Sequence, residues 1–464
     1  MKGVNAMDKD AQDQKFHQMT EMPVERLVCK MAAPTIISML ITSIYNMADT
    51  FFVGRIGTSA TGAVGVIFPL MAVIQAVGFF FGQGSGTYIS RQLGAQNREE
   101  AARMASTGFF SSIGAGCVIL ALGMLFQRPL CYLLGATDTI YPYALSYMQI
   151  ILFGAPYMTA ALVLNNQLRL QGNAVYAMVG LVSGGLLNIA LDPLFIFGFQ
   201  MGIAGAALAT ILSQLVSFCL LLCGVFRSGG VPIRLHLFSP RIQRYRALAA
   251  GGTPSLLRQG LASIATVCLN TAAGPFGDAA IAAMSIVTRV SQFAGSALLG
   301  FGQGFQPVCG FNYGAKLYGR VTRAFWFCVR VSTVALAGIG ALGFFFAPQV
   351  VAIFRADDAE VIRTGALALQ AQCLALPLLG WIILCNMLLQ NIALAVRASV
   401  VSAARQGLFF IPLVLILPPF LGLSGVQICQ PISDACAFVL TLIFTVPVLR
   451  ELAAADTGRA GQAE

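Results

Sequence analysis

The sequence predicts an all-α polytopic membrane protein in which twelve transmembrane helices form two pseudo-symmetric six-helix lobes around a central cavity. Three observations carry this. Apolar residues make up 57% of the 464-residue chain and charged residues 10%, whereas a soluble globular domain is roughly a quarter charged. Apolar runs of about twenty residues, enough to cross roughly 30 Å of hydrocarbon, recur with short polar loops between them. The chain also repeats itself when slid by 220 positions: Pro34 falls on Pro254, Gly54 on Gly274, Gly57 on Gly277, Phe81-Gly82-Gln83-Gly84 on Phe301-Gly302-Gln303-Gly304, and Gly94-Ala95 on Gly314-Ala315.

Taken in order, residues 1–26 are polar and of mixed charge, with no short apolar core followed by small residues, so they read as a cytoplasmic tail and not as a cleaved signal. The first lobe, 27–226, holds spans 31–53, 60–82, 104–126, 139–164, 175–197 and 203–225. An Arg-rich cytoplasmic linker, 227–246, joins it to the second lobe, 247–450, with spans 247–272, 279–304, 325–346, 361–388, 397–418 and 423–448. A second cytoplasmic tail, 451–464, follows. Six helices per repeat bring both copies in from the same side, which sets the pseudo-symmetry axis along the membrane normal.

Orientation follows from the basic residues. The first tail and alternate loops gather most of them, from Lys2 and Lys9 through Arg91, Arg169, Arg244, Arg320 and Arg405 to Arg450, while the opposite side holds only Arg55, Arg128, Arg355 and Arg363. The positive-inside rule then puts both termini in the cytoplasm of a cell that carries the protein in its inner (plasma) membrane. The net charge of +10 is therefore topology, not a nucleic-acid footprint. The cysteines form no CxxC pair and sit largely in apolar runs, so they read as buried hydrophobes, and the two histidines, His17 and His236, lie outside the spans. Neither a metal centre, nor a cofactor, nor disulfides are expected. Gly82 to Gly86 lacks the Lys-Ser/Thr of a P-loop, and no Ser/His/Asp set appears, so the chain does not read as an enzyme.

The chemistry is not shared between the repeats. Three acids lie well inside spans: Asp49, Asp192 and Asp434. Asp49 corresponds to Leu269 in the second copy, so the first lobe is the acidic one. In Leu187-Asn188-Ile189-Ala190-Leu191-Asp192-Pro193 an amide and a carboxylate four residues apart share a helix face, and Pro193 predicts a kink beside the acid. An intramembrane carboxylate is a functional candidate by default; capping of a broken helix is the alternative. By helix rise, Asp49 and Asp192 each lie roughly 8 Å before the outer ends of helices 1 and 5. Thr210 lies near the level of Asn188, about 12 Å down helix 6. Asp49, Asn188, Asp192 and Thr210 can therefore converge on a proton or a small hard cation, with interhelical hydrogen bonding as the alternative for the amide and hydroxyl. In the second lobe, Arg289 and Asp434 lie at similar depth and are expected to neutralise each other; Arg258 has no evident partner. Phe153, Tyr157, Met284 and Met387 are candidates for an apolar substrate cavity.

Three features resemble the multidrug and toxic compound extrusion (MATE) family: the two six-helix repeats, Tyr45-Asn46-x-x-Asp49 in helix 1, and Asn188-x-x-x-Asp192-Pro193 in helix 5. The likeness extends to Arg91-Gln92-Leu93-Gly94-Ala95 and Gly205-Ala206-Ala207-Leu208-Ala209-Thr210, from about Pro23 to Arg450. It implies a cation-coupled antiporter that exports cationic amphipathic compounds against protons or sodium, and it matches the prokaryotic branch with its ion site in the first lobe. Acids that some relatives carry in helices 7 and 10 are absent, and the loop Gln390-Asn391-Ile392-Ala393-Leu394 lacks the family's glycine, which predicts a different turn there. The expected partners are small-molecule cations and the bilayer, with no nucleic acid, and the expected state is a monomer. The alternative is a flippase for lipid-linked saccharides or other amphipathic lipids, discriminated by whether Arg258 and Arg289 line the cleft.

Overall fold

A computed structural model describes residues 13–354 and 358–463; Lys2, Lys9 and Arg355 lie outside the described residues. After a short helix α1 (13–21), the first lobe is built of α2 (Val24–Gly54), α3 (Thr58–Gly94), α4 (Arg98–Leu125), the short α5 (Gln127–Leu133), α6 (Tyr141–Leu170), α7 (Ala174–Pro193) with a π turn Leu194–Gly198, and α8 (Gly202–Arg227). The second lobe repeats the plan with α9 (Ile242–Ala273), α10 (Asp278–Gly314), α11 (Tyr318–Phe345), the short α12 (Ala347–Phe354), α13 (Ala359–Asn391), α14 (Ala395–Ala403) continued by a π turn Ala404–Phe410 into α15 (Ile411–Leu421), and α16 (Leu423–Ala463). No strand occurs among the described residues.

Each predicted span contains a helix, and the helices overrun the spans. The α3 and α10 helices each run 37 residues, about 55 Å, well beyond the hydrocarbon. Helical hydrogen bonding does not stop where the apolar stripe does, so hydropathy marks the membrane and not the helix end. For the same reason α9 begins inside the predicted linker and α16 continues through the predicted second tail. Among the described residues, eleven helices are apolar enough to be recognised as spans by composition; α9, with Arg244, Arg246 and Arg258, has the length without the hydropathy.

Each lobe is packed around its fourth helix. Within their apolar windows α6 is 67% and α13 78% buried, against 39% or less for the other spans. The α1 helix and the later part of α16 lie at one end, where Lys15 bonds Asn173 and Asp456 accepts from the Gly319 amide at 3.0 Å. At that end the lobes are closed by a seam of small residues: a Cβ on Gly84 would strike the Leu248 carbonyl, one on Gly304 the Ala32 backbone, one on Gly94 the Phe311 carbonyl and one on Gly314 the Arg91 carbonyl. The last two contacts are images of each other under the repeat, so Gly94 and Gly314 hold equivalent places where the lobes meet. Thr35 Oγ1 also donates across the seam to the Gly300 carbonyl at 2.6 Å. The seam ends near Ser43 and Ser296, whose hydroxyls are 2.7 Å apart. Beyond them no hydrogen bond joins the lobes among the described residues. The lobes are thus unfastened on the side away from α1, and this side is read as the mouth of a cleft between them.

Candidate functional site: a carboxylate pocket in the first lobe

Helices α2 and α7 approach closely because Gly185 admits the Tyr45 ring. One turn beyond Tyr45, Asp49 is half-buried; across from it Asp192 is wholly buried, and Asn188, 4% exposed, donates from Nδ2 to Asp192 Oδ1 at 3.3 Å. Asp49 Oδ1 and Asp192 Oδ2 are shut off from solvent with no hydrogen-bond partner among the described residues. An orphaned carboxylate oxygen in an apolar surround is expensive, and here two occur together. The acids are near enough to interact electrostatically with each other and with Tyr147 of α6, whose hydroxyl also lies against Thr210 of α8. Thr210 Oγ1 donates to its own helix at the Ala206 carbonyl, 3.0 Å away, which leaves its lone pairs for the pocket. Two carboxylates, an amide and two hydroxyls suit a shared proton or an oxygen-liganded monovalent cation. Immediately after Pro193 the helix widens into the π turn, closed by the Phe199 amide on the Leu194 carbonyl at 2.9 Å. Tyr147 escaped the sequence reading; its signal was a phenol in an apolar run, which composition alone does not separate from packing.

The MatE family model matches this chain twice, over residues 34–194 and 254–416, once in each lobe. The chain belongs to the MATE family. It is similar to the multidrug export protein MepA of Staphylococcus aureus strain MSSA476, 26% identical over 457 residues, 96% of this chain and 98% of that one. MepA of Staphylococcus saprophyticus is 26% identical over 447 residues with the same coverage. Among solved structures, an outward-facing multidrug resistance MATE transporter of the MOP superfamily superposes with a TM-score of 0.88 at 26% identity, covering 94% of this chain and 98% of that chain. A MATE transporter in a bent conformation matches at 0.88 and 26%, covering 96% and 99%. As a MATE protein the chain is a multi-pass membrane transporter and not an enzyme.

The second lobe of this MATE protein departs from expectation. Asp434 does not pair with Arg289. It is wholly buried and takes Arg405 Nε at 2.6 Å, Gln430 Nε2 at 2.8 Å and Gln372 Nε2 at 3.1 Å. Equal depth on two helices does not fix the direction in which they face, and Arg289 points away from the lobe interior. Arg405, counted among the loop cations, sits within the lobe because the π turn around it reorients its side chain. Met284 and Met387 are not on a cavity wall: they are 5% and 2% exposed, and Met387 Sδ packs where Gly302 lacks a side chain. Phe153 is 59% exposed, and the Tyr157 hydroxyl is taken by the Ile211 carbonyl at 2.9 Å. The turn after α13 keeps the first lobe's geometry without the glycine, since Ala393 adopts φ 64 where Gly172 adopts φ 80.

Arg258 and Arg289 lie on faces turned toward the opposite lobe. Arg258 is seven residues beyond Gly251, which abuts Gly84 and Thr87 of α3, and Arg289 is seven residues before Ser296; seven residues are close to two helical turns. Both therefore stand above the seam on the cleft side of α9 and α10. Beneath them Arg169, 2% exposed, bridges the lobes: Nη1 donates to the Gln303 carbonyl at 3.1 Å and Gln306 Oε1 at 2.7 Å, and Nη2 to Asn166 Oδ1 at 2.5 Å. Gln83 completes the knot with Asn166 at 3.0 Å and Gln306 at 3.3 Å. Sequence reading placed Arg169 among loop cations, because its position at the helix end conceals that the second lobe covers it.

Proposed function

We propose that this MATE transporter is a secondary multidrug efflux antiporter that exports cationic amphipathic compounds in exchange for protons or sodium by alternating access, with Asp49 and Asp192 as the coupling acids and Asn188 and Thr210 assisting them. The observation that carries this reading is the pair of unsatisfied, buried carboxylate oxygens in a lobe that borders an open cleft. The similarity to MepA, a multidrug export protein, supports the substrate class. With both termini in the cytoplasm, the described conformation is outward-open. Protonation from outside, or a bound cation, neutralises the pocket, removes its attraction for a cationic drug and changes the local bend after Pro193, so ion and drug exclude one another. An electrogenic exchange gains about 2.3 kcal/mol per charge per 100 mV. One chain supplies both lobes, so a monomer suffices, and no cofactor is needed.

The experiment is growth of efflux-deficient cells expressing the protein in the presence of ethidium. Asp192→Asn keeps size and polarity, so the variant is expected in the membrane at normal level with resistance abolished; full resistance would sink the proposal. A second reading, a flippase for lipid-linked saccharides or other amphipathic lipids, is favoured by one observation, the position of Arg258 and Arg289 on the cleft-facing helix surfaces, where they can meet a phosphate. Under that reading Arg258→Gln abolishes transport and Asp192→Asn does not.

A further inference from the structure

A separate site stands at the closed end of the second lobe, where α11, α16 and the start of α2 enclose a groove of about 800 Å³ lined by Glu25, Arg320, Arg323, Trp326, Arg330 and Asp456 among others. Two of these are already engaged. Arg320 donates from Nε to Asn312 Oδ1 at 2.8 Å and from Nη2 to the Met22 carbonyl at 2.6 Å, and Asp456 accepts from the Gly319 amide. Arg323 and Arg330 are exposed and have neither a hydrogen bond nor an ion pair among the described residues. They are seven residues apart on one face of α11, and Arg330 lies twelve residues past Tyr318, about 18 Å along a helix whose next turns expose Val331 and Val334. By the predicted span 325–346 Arg330 stands five residues, about 8 Å, inside the hydrocarbon boundary, where an arginine facing lipid needs an anion and reaches back toward the interface to find one. Trp326, 42% exposed, stands between the two cations, as tryptophans do at the headgroup level. Phe327 and Leu449 add an apolar wall.

We infer that this groove binds an anionic phospholipid from the leaflet on the side of α1, its phosphodiester held by Arg323 and Arg330 and its glycerol and upper acyl chain lying along Trp326, Phe327 and Leu449. Glu25 lines the same groove near Arg320, which offsets its charge. Because the groove joins α2 to α11 and α16, a lipid seated in it ties the first helix of one lobe to the other lobe at the closed seam. The site is independent of which ion drives transport.

The test uses the full-length protein in detergent and native mass spectrometry with added phosphatidylglycerol or phosphatidylcholine. The wild type should retain one phosphatidylglycerol in preference to phosphatidylcholine, and Arg323→Gln with Arg330→Gln should weaken that binding by roughly tenfold or more. Arg323→Lys with Arg330→Lys, eluting as the same monodisperse peak, should retain much of it. Equal retention of the two lipids, or unchanged phosphatidylglycerol binding in the Gln variant, overturns the inference. Competition by glycerophosphoglycerol as effective as that by intact lipid also overturns it, since the groove would then serve a soluble phosphate compound.

Discussion

At the scale of single residues, Asp192 and Asp434 are both wholly buried acids on membrane helices, and their neighbours satisfy them very differently. Asp434 has an arginine and two amides on its oxygens and is structural; Asp192 has one long amide contact and an orphaned oxygen. Removing one partner of a buried ion pair strands the other. Arg405→Met is therefore expected to destabilise the protein by about 3–5 kcal/mol, read as a lowered midpoint in thermal unfolding in detergent. Arg405→Met combined with Asp434→Leu should recover most of it. Residue type and spacing were enough to group Asp49, Asn188, Asp192 and Thr210 as candidates for one pocket, because a carboxylate in hydrocarbon is conspicuous whatever surrounds it. The partner of Asp434 was not legible: depth along a helix can be counted from sequence, but azimuth depends on packing and on the π turn that carries Arg405.

At the scale of elements, a π turn interrupts the fifth span of each lobe, but at different places: Leu194–Gly198 follows Asp192-Pro193, whereas Ala404–Phe410 falls about ten residues earlier under the repeat. Pro193 marked a bend in the first; in the second, Pro412 lies just beyond the turn and withholds a donor from the Leu408 carbonyl. The α1 helix was read as part of a tail, yet it docks on both lobes: Lys15 bonds Asn173, Asp13 pairs with Arg98, and the Met19 carbonyl accepts from Asn312 Nδ2 at 3.1 Å. Burial pushes the Lys15 ammonium from 10.5 down to about 7. The undocked helix therefore holds more protons than the docked one between those values, so docking strengthens as pH rises through this window, by up to about tenfold per unit, and is pH-independent below it with respect to this group. Hydrogen exchange over residues 13–21 should accordingly be slower relative to the intrinsic rate at pH 9 than at pH 7. Lys15→Met should remove the difference.

At the scale of the whole molecule, the repeat visible as Phe-Gly-Gln-Gly and Gly-Ala becomes the seam on which the lobes close, and the knot around Arg169 fastens it. The architecture was legible because membrane crossing and internal duplication both write themselves in linear order. Which face of each helix meets the cleft was not, and so the methionines assigned to the cavity lie in the core. The coupling claim is tested most directly by ethidium efflux from everted vesicles carrying the protein, with an imposed pH gradient and sodium present or absent. The account predicts efflux driven by the proton gradient, the sodium gradient or both, lost in Asp49→Asn and in Asp192→Asn. Efflux by both variants at the wild-type rate under the same gradients would contradict it.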